Sequence, residues 1–265
     1  MANKKNYKRS IQNKKRKRRI NKKKLGLLFI VVILFIIGTF KLTQSAISGI
    51  KNTSNNKKQT SVVESSNNKT ESLNTKANKK YTILIDPGHG GNDKGTIAND
   101  KTTFEKDITL KIGTLVAQKL TKQNDVQVIV SRNEDKYVSL ADRAKLANEQ
   151  DVDILVSIHL NGQTGGTDAF GIETYYTKEK NDGSYELAKQ IQETITSYVD
   201  VRDRGVKPDR FQVLLQSKMP AVLVECGFLT NNEEVKKLKN ESYQENLAEG
   251  ISQGILTYLD TNLKN

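Results

Sequence analysis

From residue 81 onward the sequence alternates short apolar runs with amphipathic helical stretches, and this alternation constrains the fold more than any other feature. Three of the runs predict buried strands: Tyr81–Ile85, Val126–Val130 and Ile154–Ile158. Apolar residues at helical spacing lie between them, namely Ile108, Ile112, Leu115 and Val116 in one stretch and Leu140, Ala144 and Ala147 in the next. This order predicts an α/β fold with a largely parallel sheet.

The second half of the domain continues the pattern. GIETYY (171–176) predicts a strand and Tyr185–Val199 a helix. FQVLLQ (211–216) and PAVLVECGF (220–228) predict two strands around a turn. A closing amphipathic helix is marked by Leu247, Ile251, Ile255 and Tyr258. We therefore expect residues 80–265 to form a single three-layer α/β domain with a mostly parallel mixed sheet flanked by helices.

The first 79 residues have a different character. Residues 1–24 form a basic tail with 13 Lys or Arg and no acid. Leu25–Phe40 contains no charged residue over 16 residues. As a helix it would be about 24 Å long, and Leu42 and Thr43 bring this length closer to the ~30 Å thickness of the hydrocarbon core. We expect a transmembrane signal anchor over residues 25–43, with the tail in the cytoplasm. The alternative is a cleaved signal peptide with Ala46–Ser48 as the cleavage site.

Residues 44–79 are rich in Ser, Asn, Thr and Lys and predict a disordered linker. The net charge of +13 comes from the tail. It holds 13 of the 43 Lys and Arg, and the other 30 are balanced in number by the 30 Asp and Glu. Nucleic-acid binding by the neutral remainder is not expected. The single cysteine, Cys226, excludes an intrachain disulfide.

A glycine-rich loop, DPGHGGNDKG (86–95), follows the first predicted strand. Gly88 and Gly90 begin a GxGxxG pattern, but Asp93 occupies its third glycine position. Gly90 and Gly95 have the spacing of a P-loop, but Thr96 stands where the lysine is needed. Both nucleotide motifs fail at a residue that their mechanism requires.

The two histidines of the chain favour a metal site instead. His89 comes just after the first predicted strand, and His159 closes the strand DILVSIH. Carboxyl ends of parallel strands meet at one edge of a sheet, so both imidazoles are expected there. Two neutral imidazoles suit zinc, which takes three protein ligands in a catalytic site. The third ligand is expected to be an acid, and Glu105 at the start of the first helix competes for this role with Asp86, Asp93 and Asp107.

Glu225 and Cys226 end the apolar run of the last predicted strand. A glutamate at the carboxyl end of a strand, beside a metal-bound water, is suited to act as general base and then general acid. Neighbouring side chains of a strand point to opposite faces, so Glu225 and Cys226 cannot both enter the site. No third histidine exists to activate a thiolate, and we expect Cys226 to be a small core residue.

Five short blocks occur in a fixed order: DPGHGG, EKDITL, SIHLNG, RGVK and MPAVLVECGFLTN. Together they resemble the zinc-dependent N-acetylmuramoyl-L-alanine amidases of the Amidase_3 type, which are cell-wall hydrolases, over roughly residues 81–260. The resemblance implies one zinc ion per chain held by His89, Glu105 and His159, with Glu225 as the catalytic residue. It decides for Glu105 over the three aspartates.

The resemblance also implies the reaction, which is hydrolysis of the amide bond between N-acetylmuramic acid and L-alanine in peptidoglycan. We expect a monomer at the bacterial cell membrane with its catalytic domain on the cell-wall side, or a secreted one if the N-terminal segment is cleaved. Another zinc peptidase acting on stem peptides and a non-catalytic wall-binding regulator are the alternatives. The stretch from Tyr176 to Arg204 is too short for the inhibitory helical insertion of some relatives. Arg132, Arg143 and Arg204 are candidates either for binding stem-peptide carboxylates or for structural ion pairs.

Overall fold

The computed structural model describes residues 80–263. The expected basic tail, transmembrane segment and linker lie outside this range. Within it, no helix combines the length and apolar character needed to cross a membrane.

Six strands and six helices make up the described domain. The strands are β1 Tyr81–Pro87, β2 Val126–Val130, β3 Ile154–Asn161, β4 Ile172–Tyr176, β5 Asp203–Pro208 and β6 Ala221–Phe228. The helices are α1 Glu105–Thr121, α2 Leu140–Glu149, α3 Ser184–Tyr198, α4 Gln212–Gln216, α5 Asn232–Leu238 and α6 Glu241–Tyr258, which runs into a π-helical turn, Leu259–Leu263.

The strands form one mixed sheet in the order β2-β1-β3-β6-β4-β5. β1, β2, β3 and β6 are parallel to one another. β4 is antiparallel to β6 and parallel to the edge strand β5. The mostly parallel mixed sheet predicted from the sequence is therefore confirmed.

Helices cover both faces of the sheet and give the domain three layers. On one face α1, α3 and α6 bury a large cluster that includes Ile112, Ile191 and Ile251 against Ile85 and Val224. On the other face α2 and α4 bury a smaller cluster that includes Ala144 and Leu214 against Leu84, Leu155 and Leu223. Because successive strand residues alternate between faces, each central strand contributes to both clusters.

Two elements differ from the sequence prediction. FQVLLQ is not a strand, because its last five residues form the short helix α4, which buries Val213 and Leu214 together. Adjacent residues of a strand would point to opposite faces, so the helical turn is what allows both side chains to pack onto the sheet. β5 was not predicted; its sequence, DRGVKP, contains a glycine and a proline, residues that strands tolerate mainly at a sheet edge.

Candidate metal centre and active site

Three side chains from three elements converge beyond the carboxyl ends of β1 and β3. His89 follows β1, His159 lies near the end of β3, and Glu105 is the first residue of α1. Their potential ligand atoms all lie within 4.8 Å of one another. Glu105 Oε1 is 3.1 Å from His89 Nε2 and 3.0 Å from His159 Nδ1. Two imidazole nitrogens and one carboxylate oxygen fit the three protein ligands of a catalytic zinc site, which leaves a fourth position for water.

Glu105 is oriented by the backbone around it. Its side chain is buried, Oε1 accepts a hydrogen bond from the Leu160 amide at 2.9 Å, and Oε2 accepts one from the Thr96 amide at 2.7 Å. Burial alone would raise the pKa of Glu105, but hydrogen bonds to His159 and His89 outweigh it and hold the pKa well below its usual range. The residue is therefore an ionised, fixed carboxylate, as metal ligation requires.

The three aspartates that competed with Glu105 do not belong to this group of converging side chains. Asp93 Oδ2 is 2.8 Å from His89 Nδ1. If Nδ1 carries the proton and donates a hydrogen bond to Asp93, then His89 Nε2 keeps a free lone pair on the side of Glu105. Asp86 is completely buried beneath the loop, and Asp107 is exposed on α1. Asp93 thus orients the imidazole of His89.

Two buried arginines hold the loop that carries His89. Arg143 donates to Asp86 Oδ1 at 2.5 Å and to the carbonyl oxygens of Pro87 and His89 at 2.8 and 2.7 Å. Arg132 donates to the carbonyl oxygens of the two residues before His89, at 3.0 and 2.8 Å. These bonds stabilise a strained backbone, since His89 has a φ of +59°, in the left-handed region that non-glycine residues rarely adopt.

The buried Asp86 carboxylate balances the charge of this network. Burial alone would raise its pKa, but the Arg143 guanidinium and the hydroxyls of Ser131 and Ser157 outweigh burial and lower the pKa of Asp86. Arg132 and Arg143 are only 3 % and 2 % exposed, and their N–H groups bind the loop. The sequence left two roles open for these arginines, namely binding of stem-peptide carboxylates and structural ion pairing. Their buried positions agree with the structural role.

Gly88 allows the two histidines to approach each other. A Cβ atom at this position would lie 2.3 Å from Cε1 of His159, closer than any real contact. The imidazole rings of His89 and His159 meet edge to face with centroids 4.9 Å apart. A glycine between β1 and His89 is therefore required by the second histidine rather than by a phosphate.

Glu225 lies beside this group on β6, where its Cα pairs with that of His159 in the parallel register. The residue is 9 % exposed, and its Oε2 has no hydrogen-bond partner among the described residues. Burial, followed by the negative charges of Glu105 and Glu173, raises the pKa of Glu225 well above its usual value. Such a carboxyl group binds a proton readily, as a general base must.

Cys226 points the other way. It belongs to the large core cluster on the opposite face of the sheet, and burial raises the pKa of its thiol. The expectation that Cys226 is a core residue is borne out by this position.

A cavity of about 320 Å³ opens over the three converging side chains and Glu225. Its apolar wall comes from the second face of the sheet and from the helices that cover it: Leu140, Phe211, Val213 and Leu223. The residues wrongly predicted as a strand thus help to line the cavity as part of α4 and the residue before it.

Glu173 is a site neighbour that the sequence did not single out. It lies on β4 directly opposite Glu225 in the antiparallel register and is 2 % exposed. Arg204 Nε donates to Glu173 Oε2 at 2.7 Å. The only signal in the sequence is an acid inside the predicted strand GIETYY, and the pairing partner of that strand was not predictable.

Comparison with known proteins agrees with this geometry. Residues 83–257 match the Amidase_3 family model, described as N-acetylmuramoyl-L-alanine amidase. The chain belongs to this family. Its Amidase_3 domain is similar to the N-acetylmuramoyl-L-alanine amidase LytC of Bacillus subtilis, with 40 % identity over 178 residues that cover 67 % of this chain and 35 % of LytC. It is also 41 % identical to the uncharacterized protein YqiI of the same species, over 68 % of this chain and 85 % of YqiI.

Solved Amidase_3-type structures resemble the fold. An N-acetylmuramoyl-L-alanine amidase from Clostridium difficile 630 is 56 % identical, covers 69 % of this chain and 99 % of its own, and superposes with a TM-score of 0.69. The catalytic domain of CwlV from Bacillus (Paenibacillus) polymyxa var. colistinus is 32 % identical, with 69 % and 99 % coverage and a TM-score of 0.65. The resemblance to cell-wall amidases stated from the sequence is confirmed.

Proposed function

We propose that this chain is a zinc-dependent amidase that hydrolyses the bond between N-acetylmuramic acid and L-alanine in peptidoglycan. The observation that carries the proposal is the position of Glu225, a buried carboxylate with an unpartnered oxygen, in one cavity with His89, Glu105 and His159. Membership of the amidase family supports the choice of bond.

His89, Glu105 and His159 would hold a single zinc ion. Bound zinc supplies a Lewis acid that polarises the scissile carbonyl and makes water acidic enough to attack near neutral pH. Asp93 keeps His89 in the tautomer and orientation needed for ligation, and Arg143 keeps the backbone of His89 in place.

Glu225 carries the proton through the reaction. Its carboxylate removes a proton from the attacking water and then delivers it to the nitrogen of the departing amine. The raised pKa of Glu225 suits the first step, because a carboxylate that is too weak a base would not accept a proton from water. Leu140, Val213 and Leu223 form an apolar wall of the cavity in which this proton would move.

Digestion of purified peptidoglycan with and without a metal chelator, followed by mass analysis of the products, tests the proposal. We expect the metal-loaded chain to release peptides with a free N-terminal L-alanine and to leave the glycan intact. The chelator should abolish this release, and added zinc should restore it.

Two variants separate the roles of the site residues. Glu225→Gln should retain zinc but lose hydrolysis by at least about 100-fold, since it removes the general base. His89→Ala should lose both zinc and hydrolysis. Cleavage within the stem peptide would point to a different zinc peptidase, and intact peptidoglycan after digestion would point to a non-catalytic wall-binding role; either result contradicts the proposal.

The proposed location follows from the sequence. Residues 25–43 would anchor the chain in the bacterial cell membrane with the domain on the cell-wall side, where peptidoglycan lies, unless cleavage secretes it. The chain would act there as a monomer. Residues 80–265 carry 23 Lys and Arg against 28 Asp and Glu, so nucleic acid would not be a partner of this domain.

A further inference from the structure

Glu173, a buried carboxylate next to Glu225, forms ion pairs with two cations near the edge of the sheet. Glu173 Oε2 accepts from Arg204 Nε at 2.7 Å and also from Lys207 Nζ. Its other oxygen, Oε1, accepts from Asn161 Nδ2 at 2.6 Å and from the Tyr175 hydroxyl at 2.8 Å. Glu173 therefore has partners on both oxygens and is fixed in position.

Within this cluster a single carboxylate, Glu173, forms ion pairs with two cations, Arg204 and Lys207. Burial alone would raise the pKa of Glu173, but hydrogen bonds from Lys207 and Arg204 outweigh it and lower the pKa, so the residue stays anionic. Asp203, next to Arg204 in sequence, accepts hydrogen bonds from Gln192 of α3 and from the Gly205 amide.

The two cations are accessible, unlike the carboxylate that holds them. The side chains of Arg204 and Lys207 are 23 % and 37 % exposed, whereas that of Glu173 is 3 % exposed. The Arg204 guanidinium lies 4.8 Å from the centroid of the Phe228 ring, which limits its motion. An arginine that is fixed by an aromatic ring and a carboxylate, yet faces solvent, is arranged in advance to bind an anion.

The position of the cluster relative to Glu225 indicates which part of a substrate would reach it. Glu225 delivers its proton to the amine nitrogen, so that side of the scissile bond lies over β6. β4 and then β5 are the next strands outward. Neighbouring strands are about 4.8 Å apart and an extended peptide advances about 3.4 Å per residue, so a group over β4 or β5 lies about two residues beyond the nitrogen.

We infer that Arg204 and Lys207 bind a carboxylate on the leaving peptide, on about the second residue after the scissile nitrogen. This inference rests on the proposed amidase function and adds a specificity site to it. Arg132 and Arg143 do not compete for this role, because both are buried and donate to the loop at His89.

Two muropeptides that differ in one group test the inference. They share the glycan and the peptide, but the second stem residue carries either a free carboxylate or the corresponding carboxamide. The zinc-loaded wild-type chain should cleave the carboxylate form with a kcat/KM about ten-fold or more higher, since a charge-assisted hydrogen bond contributes that much. The difference should appear mainly in KM, because the contact is remote from the reacting atoms.

Substitution of the cations should remove the preference. In Arg204→Gln/Lys207→Gln the two substrates should be cleaved at rates within about two-fold of each other, mainly through loss of activity on the carboxylate form. Lys207→Gln alone leaves Arg204, Asn161 and Tyr175 on Glu173 and should give an intermediate preference. Arg210→Gln is the matched control: Arg210 is an exposed arginine paired with Glu179 beyond the other end of β4, and its loss should leave the preference unchanged.

The outcomes separate the inference from the function on which it rests. Equal cleavage of both substrates by the wild-type chain, or equal losses on both in the double variant, would overturn the inference while the amidase function stands. Failure of the zinc-loaded wild-type chain to cleave either muropeptide at the amide bond would contradict the proposed function, and the inference would fall with it.

Discussion

Glu225 shows what a single buried carboxylate requires of its surroundings. One of its oxygens is without a hydrogen-bond partner in the described part of the chain, and such a group costs about 1–3 kcal/mol. The neighbouring Glu173 avoids this cost, because both of its oxygens accept hydrogen bonds. Two carboxylates that face each other across β4 and β6 thus have different environments, which suits one to proton transfer and the other to organising cations.

The conformation of His89 provides a test of the loop network. Arg143 donates to Asp86 and to two loop carbonyls from one planar guanidinium, a geometry that an ammonium group cannot reproduce. We expect Arg143→Lys to weaken zinc binding by about 10- to 100-fold, the usual effect of removing a group that positions a ligand. Competition with a chromophoric chelator measures the affinity directly.

Lys145→Gln is the control for this variant. Lys145 lies on the same helix, α2, with its side chain 65 % exposed and paired with Glu149. Zinc affinity should stay at the wild-type value in this control. An Arg143→Lys chain that folds and binds zinc as tightly as the wild type would show that the loop holds His89 without the guanidinium.

The sequence predicted single residues where a simple pattern marks them. His89, His159 and Glu225 are polar residues at the ends of apolar strands, and in the structure they line one cavity. The roles of Asp86 and Asp93 were not predictable, because they depend on how the loop turns. Glu173 was missed because its importance arises from an antiparallel pairing with β6 that the local sequence does not reveal.

At the scale of elements, the predicted strands and helices succeeded where their patterns extend over many residues. The helix predicted over Tyr185–Val199 is α3, Ser184–Tyr198, and the last predicted strand is β6, Ala221–Phe228. FQVLLQ is too short for its apolar periodicity to distinguish a strand from a helix. In the structure it packs onto Leu84, Leu155 and Leu223 as a helical turn.

Helix α4 should contribute measurably to stability. Leu214 is completely buried in the smaller core cluster, so Leu214→Ala should lower the free energy of unfolding by about 2–5 kcal/mol. Leu215→Ala, next to it but only partly buried, should cost clearly less. Urea unfolding followed by circular dichroism compares the two variants. Equal losses would mean that α4 does not pack as the structure describes.

At the scale of the whole molecule, strand order assembles the site. Residues 89, 159 and 225 are far apart in sequence, and they meet because β3 lies between β1 and β6 in the parallel part of the sheet. The sequence predicts that parallel strand ends gather polar residues, but it does not give the order in which strands neighbour each other. The antiparallel β4 then places Glu173 opposite Glu225, and β5 continues the sheet to its edge.

The uneven charge and hydropathy of the chain lead to a prediction about its location. Residues 25–43 should hold the full-length chain in the membrane through burial of apolar side chains, with the 13 cations of the tail fixing its orientation. Apolar insertion resists salt, whereas attraction between the tail and anionic lipid is screened over a Debye length of about 3 Å at 1 M salt. After a high-salt wash, we expect the full-length chain to remain in the membrane fraction and a chain lacking only residues 25–43 to leave it.

Residues 80–265 alone should be found in the soluble fraction and still cleave peptidoglycan, because they include every residue of the proposed site. Release of the full-length chain by salt would show that its attachment is electrostatic, and its recovery in the medium without residues 1–48 would support the cleaved signal peptide.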